Sequence, residues 1–408
     1  MNIKNLLEQL KDPLYKNSLF LMLSRVFNVA CGFIFWIIAA KYYSVGDVGL
    51  ATALISSLGL VILFSRFGFD NSLIRFIHIN DKSKVLNTCL AITTVSSLII
   101  GAIYISGINF FASGLSFIQN PGYAAVFLLF VIMNSIVSIT GNALTAVRRA
   151  DHFFYQNVLL ASRIPLLIPL VLLGSFGIFG SIGVAYLLSA LFTVLLLRKS
   201  LSFDFKVDKQ FIKESFRFSS GNYISSVLLA VPTLIMPILI LNLLNEAEAA
   251  KYYIAFAIGN LVLIVPDSLS TSIFVEGSHG ESLRKSVIKA GLAIYGFLIP
   301  AVVLIYFFGD YLLGLIGKDY VGASELLRLL ALSSFFYAVY SLFVPVQNVR
   351  MRVESIVKLN LLRFLLLVGL SYVFILRYGI IGVGYAWLIT YAVMALGIVG
   401  LVKRMGWV

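Results

Sequence analysis

Reactive side chains are scarce in this chain. Two cysteines and three histidines are spread over 408 residues, and neither type recurs at a spacing that ligates a metal or builds a disulfide framework. His78, His152 and His279 fall in connecting segments, while Cys31 and Cys89 fall inside long apolar runs, where a thiol packs as a small apolar group. No glycine-rich loop ends in Lys-Ser or Lys-Thr, so a built-in nucleoside triphosphatase is not expected. Acid is short as well, with 18 Asp and Glu against 31 Lys and Arg, a net charge of +13. An enzyme would need a reacting constellation from this stock, and none forms; no cofactor and no metal are expected.

Apolar residues are abundant instead. They make up 60% of the chain, against 12% charged residues, which is more apolar surface than a water-soluble core of this size can hide. In lipid every backbone group must be satisfied internally, so only helices or closed barrels cross. The apolar runs last about 18 to 25 residues, the length of a spanning helix rather than of a barrel strand. The expectation is an all-α polytopic membrane protein with twelve spans, at 17-40, 47-69, 86-108, 122-146, 157-174, 178-197, 218-243, 252-275, 287-308, 323-346, 358-376 and 379-402. The first run reads as a retained span rather than a cleaved signal.

The basic residues orient these spans. Twenty-three fall in the terminal segments and alternate loops, and only Lys41, Lys251, Lys318 and Arg377 in the opposite loops. By the positive-inside rule both termini are cytoplasmic. The excess charge is thus topological, and no nucleic acid partner is implied. The connection "KVDKQFIKESFRFSSG" places Lys209, Lys213 and Arg217 four residues apart with phenylalanines between them. It reads either as a helix lying on the inner surface against anionic lipid or as a solvated linker.

The chain also repeats itself. "GIFGSIGVAYLLS" from Gly177 resembles "GIIGVGYAWLIT" from Gly379, "VRRADHF" after the fourth span matches "VRMRVES" after the tenth, and "SVGDVGL" before the second matches "NEAEAAK" before the eighth. Three matches in order imply two six-helix lobes, 1-200 and 218-408, joined by residues 201-217. Because six is even, the lobes are parallel repeats, an arrangement that encloses a central cavity.

The segments "AAKYYSVGDVGLATALISSLGLVILFSRFGFDNSLIRFI" and "NEAEAAKYYIAFAIGNLVLIVPDSLSTSIF", set in that twelve-span repeat, resemble the exporters of the multidrug/oligosaccharidyl-lipid/polysaccharide (MOP) superfamily, and in particular Wzx-type O-antigen flippases. The resemblance runs over essentially the whole chain. It implies a MATE-like fold in a bacterial inner membrane and a substrate of undecaprenyl-diphosphate-linked oligosaccharide, moved from the cytoplasmic to the periplasmic leaflet with no covalent step. Membrane lipids, a coupling proton or sodium ion, and polysaccharide polymerase machinery belong to the same expectations. A multidrug exporter would favour an acidic cavity, and a glycan polymerase or ligase would want longer outer loops than this sequence supplies.

Against that background the cations inside spans stand out. Arg25 lies eight residues into the first span, and related lipid II flippases resemble this chain in carrying a basic residue there. An arginine in lipid is costly, so it faces a cavity, a partner or the interface. Arg25 either snorkels to the headgroups or lines the cavity and grips a diphosphate with its forked donors. Arg163 and Arg363, in nearly corresponding places of the fifth and eleventh spans, carry the same two readings. Arg328 near Glu325 is an interface residue. Pro165 and Pro169 share the fifth span and Pro232 and Pro237 the seventh, marking bends or gates. Arg66 and Asp267 align on the repeat; they read either as a pair that meets across the lobes to close the inward gate or as two independent headgroup contacts, with Asp267 the candidate for ion coupling.

Overall fold

A computed structural model describes residues 13–198, 202–203, 207–278 and 281–404. His279, the N-terminal Lys4 and Lys11, and part of the 201-217 connection lie outside the described residues. The described residues are helical, with no strand, as lipid requires. By contact the chain divides into two compact units, 1–223 and 224–408.

In the first unit, α1 (Pro13–Tyr42), α2 (Val45–Ser65), the short α3 (Phe69–Phe76), α4 (Lys82–Ser106) and α5 (Pro121–Ala146) are followed by α6 (Ala150–Leu160), the four-residue α7 (Arg163–Leu166) and α8 (Ser175–Leu197). α1 packs on α6, α2 on α8, and α5 between α4 and α8. The buried core at one end joins Phe69 and Leu73 of α3 to Leu86, Cys89, Ile139, Leu144 and Phe211. Phe211 belongs to α9 (Lys209–Leu243). Residues 209–217 of the segment expected as a surface helix or a linker form the first turns of this 35-residue helix, with Phe211 buried against Phe69 and Phe76. Its apolar side chain finds a better partner in the bundle than in the headgroups.

In the second unit the rest of α9 is followed by α10 (Glu246–Leu261), α11 (Ile264–Ser278), α12 (Leu283–Ile316), α13 (Ser324–Val349), α14 (Val353–Tyr378) and α15 (Ile381–Arg404). α13 is the hub, packing on α10, α11, α12 and α15, while α14 covers α15. Among the described residues ten helices are long and apolar enough to cross a membrane, and α10 with α11, bent by 46°, makes an eleventh. The remaining expected span, 157-174, is not one helix. α6 stops at Leu160, α7 lasts one turn, and residues 171–173 form a 3₁₀ turn. Pro165 and Pro169 remove two backbone donors within five residues and break the ladder there. Pro232 and Pro237 are tolerated inside continuous α9.

The two units share their joints. Before α2, Ser44 accepts a hydrogen bond from the Asp47 N–H; before α10, Asn245 accepts one from the Glu248 N–H. Both are side-chain caps with an acid in the first turn. After α5, Arg148 is left-handed (φ 60°) and the Arg149 N–H reaches back to the Leu144 carbonyl; after α13, Met351 is left-handed (φ 56°) and the Arg352 N–H reaches back to Gln347. These are matching Schellman ends. Before α8 and α15 stand Gly174 (φ 56°, ψ −136°) and Gly379 (φ 60°, ψ −146°), in a region open only to glycine. Three residues on, a Cβ on Gly177 would lie 2.0 Å from the Leu170 carbonyl oxygen, and one on Gly382 would lie 2.3 Å from that of Phe374. The repeat is real, and its register is corrected: Gly177 pairs with Gly382 rather than Gly379, and Arg148 with Met351.

Candidate functional site

Three of the arginines singled out in the sequence, Arg25, Arg66 and Arg163, belong to the first unit. Arg25 is exposed on α1 and makes no hydrogen bond or ion pair with a described residue. Seven residues on, Gly32 lies on nearly the same face of α1, about 10 Å further along the axis. Its Cα side looks at Arg163, whose Nη2 is 3.8 Å from where a Cβ would stand. The Arg163 guanidinium carbon sits 5.5 Å from the centroid of the Phe35 ring, a cation–π contact. Between Arg25 and Gly32, Asn28 donates to Asn157 of α6 at 2.8 Å, pinning the broken segment to α1. Arg163 is the first residue of α7, so the break itself delivers it to this seam.

Two arginines of the first unit keep a donor unspent. The Arg163 Nε and the Ser162 hydroxyl are buried without a hydrogen-bond partner among the described residues, although buried donors are nearly always paired. Arg66, at the end of α2, likewise has a buried Nε with no partner among the described residues, and it pairs with Asp70 at 3.8 Å. Phe67 (φ 47°) and Gly68 (φ 79°) turn the chain left-handed straight after it, which holds Arg66 at the corner between α2 and α3. Tyr186 of α8 lies within electrostatic reach of both Arg163 and Arg66.

The second unit treats its arginine differently. Arg363 of α14 is 4% exposed. Its Nε donates to the Tyr391 hydroxyl at 2.8 Å and its Nη1 to the Leu229 carbonyl at 2.9 Å. Leu229 precedes Pro232 by three residues, within the same turn of α9. The arginine thus ties α14 to the proline-bearing stretch of α9. Around it, Tyr340 donates to Asn360 at 2.7 Å, and Asn360 donates to Ser225 at 3.0 Å. The Tyr337 ring meets Tyr391 edge-on with centroids 5.2 Å apart, and its hydroxyl donates to Asp267. Asp267 is exposed on α11, one residue after Pro266.

The sequence-predicted residues therefore fall into two groups. Arg25, Arg163 and Arg66 belong to the first unit, with their donors largely uncommitted. Arg363 and Asp267 belong to the second and join one tyrosine-rich network. Within its own unit Arg66 finds Asp70, and Asp267 finds Tyr337. Arg328 pairs with Asp310 of α12 at 2.9 Å rather than with Glu325. Sequence reasoning missed the tyrosines and the two asparagines. Their signal was available: Tyr337 and Tyr340 are three residues apart on one helix face, and Asn157 and Asn360 are amides inside apolar spans. Among the described residues no group of His, Cys, Asp or Glu could hold a metal ion.

Comparison with known proteins follows the same outline. A family model described as "Polysaccharide biosynthesis protein" matches residues 14–274. The solved structure of a lipid II flippase, MurJ, in an inward closed conformation is similar with a TM-score of 0.75 at 17% identity, covering 95% of this chain and 87% of that one. An inward-facing multidrug resistance MATE family transporter of the MOP superfamily is similar with a TM-score of 0.70 at 15% identity, covering 94% and 95%. A MATE in complex with MaL6 is similar with a TM-score of 0.60 at 15% identity over 97% of each chain. No curated protein sequence matches.

Proposed function

The chain belongs to the polysaccharide biosynthesis protein family, and from that premise we propose that it flips an undecaprenyl-diphosphate-linked oligosaccharide, such as an O-antigen unit, from the cytoplasmic to the periplasmic leaflet of a bacterial inner membrane. Its fold is that of MOP-superfamily transporters, and family and fold alike are those of carriers rather than of enzymes. The observation that carries the substrate class is the seam of Arg25 and Arg163 on α1 and α7, with the Arg163 Nε buried and unpartnered. A diphosphate offers several oxygens in the plane a guanidinium fork requires, and such bonds are about twice as strong as neutral ones. Arg25 and the Gly32 position that Arg163 faces, about 10 Å apart along α1, give the headgroup one site to enter and a second to be handed to.

The lipid tail stays in the bilayer, the sugars travel in water, and alternating access turns the site from one leaflet to the other. Broken helices at membrane depth are where such proteins place their sites, and α6–α7 is such a break. In this reading the ends of the helices that carry the basic loops face the cytoplasm, Arg66 contributes to gating, and Asp267 with Tyr337 is the acidic group through which a proton or sodium ion couples. Polysaccharide polymerase machinery takes the product on the outer side.

A multidrug cation exporter is the competing reading, favoured by the MATE structural likeness. An exposed, unpaired Arg25 opposes it, since it would repel a cationic drug. The deciding experiment reconstitutes the purified chain in liposomes and follows a fluorescent undecaprenyl-diphosphate oligosaccharide and a cationic dye in parallel. Protection of the lipid-linked sugar from an external glycosidase, without dye movement, is expected. Dye transport with a stationary sugar lipid would overturn the assignment.

A further inference from the structure

Away from these sites, the second unit holds a groove of about 750 Å³ between α12, α13 and α15. Its walls are apolar, with Leu342 and Val399 among them, and its lining includes Arg284, Arg350 and Lys403 but no acid. The three cations come from the start of α12, the end of α13 and the end of α15, so they ring one mouth. We propose that this groove holds one anionic glycerophospholipid, its phosphate at Arg284, Arg350 and Lys403 and one acyl chain running up between the helices toward Tyr295.

Three features select that occupant. The charged residues that line the groove are all basic and its walls are apolar, which matches an anionic amphiphile and neither a sugar nor a cation. Apolar residues beside it, Ile288 at 54% exposure and Val399 at 44%, are those of a wall open to lipid rather than to water. From Arg284 to Tyr295 along α12, and from Arg350 to Val339 along α13, the groove runs roughly 16 Å at about 1.5 Å per residue. That is close to one leaflet of a hydrocarbon core about 30 Å thick. An acyl chain of a leaflet phospholipid fits this depth, whereas an undecaprenyl tail is much too long for it. The groove lies wholly beyond residue 274, where the family match ends, and it shares no residue with the proposed substrate seam.

The test uses the full chain purified in neutral detergent, with dioleoyl phosphatidylglycerol, dioleoyl phosphatidylcholine and undecaprenyl phosphate added singly, read by native mass spectrometry and by the melting midpoint. Phosphatidylglycerol should remain bound and raise the midpoint; phosphatidylcholine should do neither. Each basic residue near an anionic surface is worth about a fivefold gain in binding. Combining Arg284→Gln, Arg350→Gln and Lys403→Gln should therefore cost roughly 100-fold in affinity, while Arg284→Lys with Arg350→Lys keeps most of it. Leu342→Trp, which fills the groove and leaves the charges in place, should also release the lipid, and it decides the matter if the triple variant fails to fold. Equal binding of phosphatidylcholine, undiminished binding by the Trp variant, or a preferential retention of undecaprenyl phosphate that Leu342→Trp abolishes would overturn the proposal.

Discussion

The α6–α7 segment of the first unit and α14 of the second begin after matching Schellman turns and carry an asparagine at the same place, Asn157 and Asn360, yet they end as different objects. The first breaks after Leu160 and delivers Arg163 at the break, with its Nε unpartnered. The second runs 26 residues without interruption and encloses Arg363 between Tyr391 and the Leu229 carbonyl. Two prolines in one and none in the other account for the difference in backbone. Three residues beyond each asparagine stand Leu160 and Arg363, so Arg163 and Arg363 are not true equivalents. The repeat preserves joints, because caps and turns fix how helices meet. It leaves the interior free to diverge, and one unit offers its guanidinium groups while the other consumes its own.

The largest expected effect tests that contrast directly. Arg25→Ala and Arg163→Ala should each lower flipping of a lipid-linked oligosaccharide about 10- to 100-fold, the worth of one or two charge-assisted hydrogen bonds. The melting midpoint of the Arg25 variant should be unchanged, since removing an exposed cation from a span costs the fold nothing. Arg25→Lys should recover part of the rate, keeping charge but not the fork, and Arg25→Glu should be worst. Wild-type surface polysaccharide from Arg25→Ala, at matched membrane level, would mean that this arginine only snorkels.

Arg363→Ala should behave in the opposite sense. It removes the bond to the Leu229 carbonyl and takes the donor from the buried Tyr391 hydroxyl, and should destabilise the protein by about 2 kcal/mol. The drop is measured as a lower melting midpoint in detergent, with any flipping loss tracking the folded fraction. A variant that melts normally but no longer flips would return Arg363 to the substrate site.

This contrast also marks what the sequence could carry. Helix positions were legible because lipid makes apolar length decisive: every expected span from α1 to α15 coincides with a helix, a bent pair or, at 157-174, a broken run. Pro165 and Pro169 were read as a bend, but whether prolines bend or break a helix depends on neighbours that satisfy the freed carbonyls, and that is tertiary. Likewise Arg163 and Arg363 looked alike because sequence shows spacing and not partners. The tyrosine network escaped notice since Tyr391 and Tyr337 meet only after α13 and α15 pack. The one-to-three-residue slip in the repeat arose because letters were matched where φ angles set the register.

A smaller effect concerns the glycine turns. Gly174→Ala and Gly379→Ala both place a Cβ on a backbone that disfavours it, at about 1 to 2 kcal/mol each. In addition, the new methyl at residue 174 would lie 2.6 Å from Asp47 Oδ1, whereas nothing lies within 4 Å of one at residue 379. The first substitution should therefore cost about 1 kcal/mol more than the second, read from paired melting curves. Equal losses would mean that Asp47 moves aside freely.

The smallest effect is a coupling, and it separates the two capping joints. Ser44→Ala and Asn245→Ala should each cost about 1 kcal/mol, the usual value of an N-cap. In the first unit, however, Asp47 receives the Ser44 hydroxyl at 2.6 Å through one oxygen and the Ser175 N–H at 2.8 Å through the other. The cap of α2 and the turn before α8 thus share one carboxylate. Glu248 instead turns to Lys251 at 2.7 Å. Residues that share a partner are non-additive, while independent sites add to within about 0.3 to 0.5 kcal/mol. A double-mutant cycle of Ser44→Ala with Gly174→Ala should then show an interaction above about 0.5 kcal/mol, and the cycle of Asn245→Ala with Gly379→Ala none. Equal coupling in both cycles would show that the second unit ties its cap to its turn by another route, and that the joints of the repeat are closer in energy than their hydrogen bonds are in kind.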